Sequence, residues 1–149
     1  MEKKRLTKIL AKADRAVIAA LSAGVMKAHP IAVIKEPAKT LAMIKMREPV
    51  KQSLFYIGEV IVCEAVVELS GVKGMAVCMG DDTEKTLNMA IIDAAINKGV
   101  FEGLDELIAL EKEQENILRR ENAMHLKTMV NFTSMDEEVP QDVSSFKKV

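Results

Sequence analysis

Apolar and polar positions along the chain form helical patterns at both ends and strand patterns in the middle. Residues Leu6 to Met26 are rich in alanine and leucine and predict helix, within which Asp14 is expected to begin a second short helix as its N-cap. The stretch LFYIGEVIVCEAVVEL, residues 54–69, is the strongest strand signal in the chain. Ser70–Gly71 predicts a hairpin turn, so VKGMAVCM after it should return as an antiparallel strand.

Prolines predict an interruption between the first helices and the central strands. HPIAVIKEPAKT carries Pro30 and Pro37, and proline restricts its predecessor to extended conformations, so this segment is predicted to be a broken connector with one short strand, AVIK. TLAMIKMRE is predicted to be a further strand that Pro49 ends. A last helix is expected from about Leu104 to Met129 or beyond. The pattern therefore predicts an α+β fold: a central antiparallel β-sheet with helices at the amino-terminal and carboxy-terminal ends.

The acidic residues of the strongest strand change face along its length. Glu59 has one parity, whereas Glu64 and Glu68 have the other. Because side chains alternate between the two faces of a strand, a flat strand cannot move its charges from one face to the other. A bulge near Gly58 to Val62, or cover on both faces there, is therefore expected.

Composition excludes several classes of protein. The 149 residues suit one domain, and the formal net charge of −1 provides no general attraction for nucleic acid or anionic membrane. Aromatic residues make up only 3%, which disfavours recognition of single strands by base stacking. No apolar run approaches a membrane span and no signal peptide follows the basic start, so a cytoplasmic protein is expected. Cys63 and Cys78 are predicted to be reduced, buried thiols.

The stretch MGDDTEKTLNMAIIDAAI, residues 79–96, contains the acids that could belong to a reactive site. Gly80 is expected to end the strand, and Asp81 or Asp82 to cap the helix that follows. Asp81 also has capping-box spacing to Glu84. A metal site is disfavoured, because no histidine is near and the acids lack the alternating spacing of a calcium loop.

Asp93 lies inside the apolar part of this helix. One face carries Leu87, Ala90, Ile91, Ala94 and Ala95, and a roughly opposite face carries Met89, Ile92 and Ile96. The helix should therefore be covered on most sides, by its own sheet and by something else. Asp93 is expected to accept bonds from backbone amides of a neighbouring segment, ahead of a contact in a protein interface.

These segments resemble, in order, the PhnG subunit of the carbon–phosphorus lyase system. The family pattern F-x-x-G-E-x-x-V-T-R-x-x-V-x-L, then G-x-x-G, G-R-D and a helix ending D-A-L, is met at Phe55, Gly58, Glu59, Val62, Val66, Leu69, Gly71, Gly74, Gly80, Asp82, Asp93 and Ala94. MVNFTSM is similar to the family's ending at Val130, Phe132 and Met135, and LTKILAKAD to its first helix. The resemblance implies one PhnG-like α+β domain over residues 1–136, followed by a polar, flexible tail at 137–149.

The resemblance also implies a function in phosphonate breakdown. Family members are subunits of a heteromeric core that supports transfer of methylphosphonate to the ribose C1 of ATP with release of adenine. The chemistry of that step belongs mainly to a PhnI partner, and the iron–sulfur radical step to another subunit. This chain is thus expected to bind a PhnI-like subunit and other core subunits, to self-associate when isolated, and to hold no cofactor itself. Candidate structural or partner-interface residues are Glu59, Gly80, Asp82, Asp93 and Phe132.

Two positions depart from the family pattern in the sign of their charge. Asp81 stands where G-R-D has arginine, and Cys63 and Glu64 stand where the pattern has T-R. An acid cannot replace an arginine that faces a carboxylate without repulsion. This makes compensating changes in the partner, or a changed complex, an expectation.

Two alternatives of other classes stay open from the sequence. A stand-alone hydrolase or transferase would use Asp81, Asp82 and Asp93 as its carboxylates. A homo-oligomeric scaffold or regulator would act through the Leu104–Met129 helix, where Leu110, Ile117 and Met124 recur every seven residues and Arg119 and Arg120 lie nearby.

Overall fold

The amino-terminal part of the chain forms two helices, as the sequence predicts. The computed structural model describes residues 2–130. Helix α1 spans Lys3–Lys12 and helix α2 spans Arg15–Ala28. Asp14 caps α2, because its side chain accepts a hydrogen bond of 3.0 Å from the amide of Ala16. The prediction of a second helix beginning at Asp14 is confirmed.

Three antiparallel strands follow in the order β1-β2-β3. They span Ile31–Arg47, Leu54–Leu69 and Val72–Met79. Ser70 and Gly71 join β2 to β3 with φ angles of 49° and 85°. Positive φ at both central positions matches the twist of a two-residue hairpin loop, and glycine adopts it without steric cost. The predicted hairpin and its antiparallel pairing are confirmed.

The predicted broken connector is wrong, because β1 runs without interruption from Ile31 to Arg47. Within the described residues β1 pairs only with β2, so it is an edge strand. Pro37 falls where the register shifts between Lys35 and Ala38. Its missing N–H costs little there, since proline is tolerated at edges and bulges of a sheet.

Charges change face along β2 without a bulge between Glu59 and Glu64. The pairing with β1 is unbroken from Gly58 to Glu64, and the nearest shift lies at Ile57, on the other side of Gly58. Neither predicted explanation holds, because Leu54 to Glu59 are exposed on both faces. A charge on either face of that segment remains in water and needs no compensation.

Helix α3, Thr83–Lys98, packs across the sheet and is buried nearly all round. On its sheet side, Gly74 of β3 comes so close that an added Cβ would lie 2.3 Å from the carbonyl oxygen of Ala90 and from the amide nitrogen of Ala94. On its other side α2 contacts it, and the Ser22 hydroxyl donates to the amide oxygen of buried Asn88 at 2.9 Å. Cover on both sides is confirmed, but the chain itself provides it.

Helix α4 spans Leu104–Lys127, close to its predicted bounds. The described residues divide into two units, of which the first ends at Glu115 and the second begins at Asn116. Within the first unit, Leu107 is fully buried, and Gln114 donates to the backbone carbonyl of Ile9 at 3.0 Å. Residues 131–149, with Phe132 and the predicted tail, lie outside the described residues. The single domain over residues 1–136 stays a prediction.

An ion pair connects α1 to the first half of α4. The Arg5 guanidinium donates to both Glu111 carboxylate oxygens, with distances of 2.5 Å to 3.1 Å. These hydrogen bonds, and then the positive charge itself, hold the pKa of Glu111 below its ordinary value. A carboxyl with a lowered pKa in the folded state stabilises the fold above the unfolded pKa, and this contribution is lost as pH falls through the folded-state pKa.

Glu111→Gln is therefore expected to lower the urea midpoint slightly at neutral pH and to have no effect in acid. The physical reason is that acid protonates Glu111 and removes the ion pair from the wild-type protein as well. Urea unfolding of the wild-type protein and the variant along a pH series measures the gap between their two midpoints. A gap that stays constant below the pKa of a free glutamate would contradict this assignment.

Candidate partner-binding surface

The two adjacent aspartates after β3 have separate structural partners. Gly80 ends the strand with φ of 98° and donates its N–H to the carbonyl of Ile61 at 2.9 Å. Asp82 is the N-cap of α3 and accepts from the Lys85 amide at 2.9 Å. Asp81 instead pairs with Lys39 at 3.1 Å, and Glu84 pairs with Arg15. Capping by Asp82 is confirmed, and the capping box from Asp81 to Glu84 is wrong.

Asp93 closes the free edge of β3 from the side of α3. Its Oδ2 accepts from the Met75 N–H at 3.0 Å, from the Asn97 side chain at 3.1 Å and from the Lys3 ammonium at 3.4 Å. Asn97 in turn donates to the Lys73 carbonyl at 2.9 Å. The predicted bonding of Asp93 to a neighbouring backbone is confirmed, and this residue, 7% exposed, has partners for its charge.

Asp93→Ala is expected to reduce the free energy of unfolding by about 1–3 kcal/mol, because the Met75 N–H and the Asn97 amide lose their acceptor. The midpoint of urea unfolding measures this loss. Glu59→Ala is the control: Glu59 is exposed and should change stability by no more than about 0.5 kcal/mol. Equal midpoints for the two variants would show that closing the edge contributes nothing to stability.

The described residues do not bring the three aspartates into one reactive site. Asp82 lies at the start of α3 and Asp93 eleven residues later, a separation of roughly 16 Å along the helix axis. Among residues 2–130 no group of three or more His, Cys, Asp or Glu could hold a metal ion. The alternative of a carboxylate-dependent hydrolase or transferase requires these three carboxylates in one site, and the described residues do not form it.

The two cysteines are free and buried, as the sequence predicts. They are direct partners across β2 and β3, on the face that packs against α3. Because both thiols are buried, they belong to the core and are not accessible nucleophiles. No helix in the described part of the chain is long and apolar enough to cross a membrane.

The most unusual surface lies where β1 and β2 extend beyond the end of β3. Met79, the last residue of β3, pairs with Val62, so the sheet beyond this point has two strands within the described part of the chain. We call residues 41–47 and 54–61 the apolar ribbon. It is roughly 25 Å long, estimated from the rise per strand residue. The large apolar side chains exposed on it are Leu41, Met43, Ile44, Met46, Leu54, Phe55, Tyr56, Ile57 and Ile61.

Both faces of the apolar ribbon carry these side chains. Opposite Ile61 lies Leu41, on the face that continues toward α3, and the two are 55% and 61% exposed. Phe55 and Met46 lie opposite one another on the other face. A two-stranded ribbon is only marginally stable in water, and one with apolar groups on both faces indicates a surface that another molecule covers.

Hydrogen bonds in the turn at the tip hold the two strands of the ribbon together. The Glu48 amide donates to the Ser53 carbonyl at 2.9 Å, and the Glu48 carboxylate accepts from the amides of Val50 and Lys51. The Arg47 side chain donates to the Gln52 carbonyl at 2.7 Å. These bonds fix the register, so the ribbon is presented as a formed surface.

The apolar surface continues onto the outer face of the three-stranded sheet. Met75, Val77 and Met79 of β3 point away from α3, and Met79 is 73% exposed. Glu59 lies on the ribbon and Gly80 at its base, so two candidate residues adjoin this surface. Asp82 and Asp93 have structural partners instead, and Phe132 is outside the described residues.

Lysines of β1 neutralise both acids that stand where the family pattern has arginine. Lys39 pairs with Asp81 at 3.1 Å, and Lys35 pairs with Glu64. The Lys39 side chain, first by its hydrogen bond and then by its charge, lowers the pKa of Asp81. Both acids thus have a cationic partner within the chain, whereas the sequence led us to expect the compensating change in the partner subunit or a changed complex, which stays a prediction.

Sequence reasoning missed the apolar ribbon for an identifiable reason. Residues 54–62 are apolar at odd and even positions alike, which is also the pattern of a strand buried on both faces. In addition, Pro37 led to the prediction of a broken connector, so the full length of β1 was not recognised. The signal that could have identified the surface is the number of apolar positions in these strands, which is larger than the helices on one side of the sheet can cover.

The family model described as phosphonate metabolism protein PhnG matches residues 1–136 of the chain. No curated protein of similar sequence is found.

Proposed function

The chain belongs to the PhnG family of phosphonate metabolism proteins, and we propose that it is an accessory subunit of a carbon–phosphorus lyase core complex. In this role it supports transfer of methylphosphonate to the ribose C1 of ATP with release of adenine. A PhnI-like subunit is its principal partner, alongside other core subunits. The proposal places it in the cytoplasm, without nucleic acid or membrane as partner.

The apolar ribbon is the observation that supports this proposal. A subunit needs a surface that is unfavourable in water and complementary to another protein, and obligate interfaces resemble a domain core cut in half. The ribbon has that composition on both of its faces. A partner that encloses it would bury both faces at once. Helix α3, the other candidate at the level of sequence, is already covered by its own chain.

The proposal assigns the reactive groups and any cofactor to the partner subunits. The carboxylates that a catalyst of this size would use are engaged: Asp82 caps α3, Asp93 closes the edge of β3, and Asp81 pairs with Lys39. In this proposal the chain therefore contributes an apolar binding surface to the complex and no reactive group. Its contribution to the reaction would be to hold partner subunits in their active arrangement.

Co-expression with the proteins encoded beside it tests the proposal. We expect the chain to co-purify with a PhnI-like subunit as a complex of defined mass, and to show no activity toward ATP and methylphosphonate by itself. Native mass measurement of the purified complex gives the composition. A chain that turns over methylphosphonate alone, or that stays apart from the PhnI-like subunit, would refute it.

A further inference from the structure

A second exposed apolar surface lies between α2 and the first half of α4, on elements that do not form the ribbon. It is an open groove of about 640 Å³. Its lining residues are Ala16, Val17, Ala20 and Leu21 of α2 and Glu106, Ala109, Leu110 and Glu113 of α4. Alanines line much of it, so the two helix surfaces leave room for larger side chains from outside.

Among the described residues that line this groove, two carboxylates carry its charge. Glu106 and Glu113 are exposed and seven residues apart, which places them on the same side of α4, roughly 10 Å from one another along the axis. Within the described residues neither has an ion-pair partner, whereas Glu111 on the same helix pairs with Arg5. The α2 wall carries no charged lining residue. The groove therefore suits an amphipathic helix with cations at a seven-residue spacing.

The second unit of this chain has a helical surface with those properties. Ile117 and Met124 are 49% and 67% exposed and lie seven residues apart in α4. Arg120 and Lys127 are also exposed, also seven residues apart, and follow that apolar pair at a spacing of three residues. Residues three apart are neighbours on a helix surface, so the two cations flank the two apolar side chains.

We propose that the groove between α2 and α4 binds the Ile117–Lys127 segment of a second copy of this chain. Ile117 and Met124 enter the space above the alanines. Arg120 and Lys127 pair with Glu106 and Glu113 of the other copy. This contact is independent of the proposed function, because it needs neither a phosphonate nor the apolar ribbon.

A charge exchange between two variants tests this contact. One variant carries Glu106→Arg with Glu113→Arg, and the other carries Arg120→Glu with Lys127→Glu. The wild-type chain is expected to self-associate, and each variant alone about tenfold more weakly, because attraction at two sites becomes repulsion. Mixing the two variants should restore association, since the reversed charges are complementary again. Light scattering across a concentration series gives the masses.

Matched controls separate this contact from other routes of association. The ribbon is identical in all variants, so recovery on mixing can arise only from the exchanged charges. Glu2→Arg with Glu36→Arg reverses two exposed acids outside the contact and should leave association unchanged. Ala20→Phe fills the groove without changing charge and should also weaken association. A wild-type chain that stays monomeric, or a mixture of the two variants that fails to associate, would overturn the inference.

Discussion

Replacing Gly74 by alanine is expected to destabilise this fold strongly. The new Cβ would lie 2.3 Å from backbone atoms of Ala90 and Ala94. Backbone in the middle of a buried helix cannot retreat as a flexible side chain can, so α3 would have to move off the sheet. We expect a loss of about 3 kcal/mol or more in the free energy of unfolding. Urea unfolding followed by circular dichroism measures it.

Gly58→Ala is the matched control for Gly74→Ala. Gly58 also lies in a strand, but an added Cβ would meet no atom within 4 Å and its φ is not positive. The same chemical change should therefore alter stability by at most about 1 kcal/mol. If the two variants unfold at the same urea concentration, the close approach of β3 to α3 is not what fixes the helix on the sheet.

Polar substitution of one face of the apolar ribbon is expected to weaken partner binding strongly while the isolated chain stays folded. Leu41→Thr with Ile61→Thr changes an exposed cross-strand pair and keeps residues that favour strands. Because the pair is exposed, the stability of the isolated chain should change little. Two apolar side chains buried in an interface contribute together about 3 kcal/mol, so affinity for the PhnI-like subunit should fall about a hundredfold.

The control for this double variant is Val33→Thr, on the same strand but outside the ribbon. Titration of the PhnI-like subunit with each variant by calorimetry gives the affinities, and circular dichroism verifies the fold. The control should bind as the wild-type chain does. If the double variant binds the PhnI-like subunit with unchanged affinity, this face of the ribbon is not part of the interface. The proposed function then loses the observation that supports it.

Local signals in the sequence predicted most of the fold. Asp14 and Asp82 cap helices because each precedes a helical pattern, and Ser70–Gly71 forms a hairpin because it separates two apolar runs. Such features depend on a few adjacent residues. The family match confirms the identification that the ordered motifs suggested.

Features that depend on distant parts of the chain were predicted less well. The effect of Pro37 depends on whether β1 has a neighbour on one side or on both, which no local pattern contains. The cover over α3 proved to be α2 and the sheet, whereas periodicity indicates only that cover exists. The pairing of Asp81 with Lys39, and not with a helix amide, likewise depends on the register between strands.

The contacts of Asp93 and Asn97 have a consequence for how this sheet can grow. They occupy the Lys73 carbonyl and the Met75 amide, which an incoming strand would need on the β3 side. On the β1 side, Pro37 and two register shifts obstruct docking along the first half of the strand. Among the described residues, the apolar ribbon is the stretch that stays open to strand addition, along the outer edge of β1 from Leu41 to Arg47 and along that of β2 from Leu54 to Val60, which has no partner in β3. A cell that makes this chain in excess of its partners would therefore risk aggregates that start at this stretch, which favours balanced synthesis of the subunits.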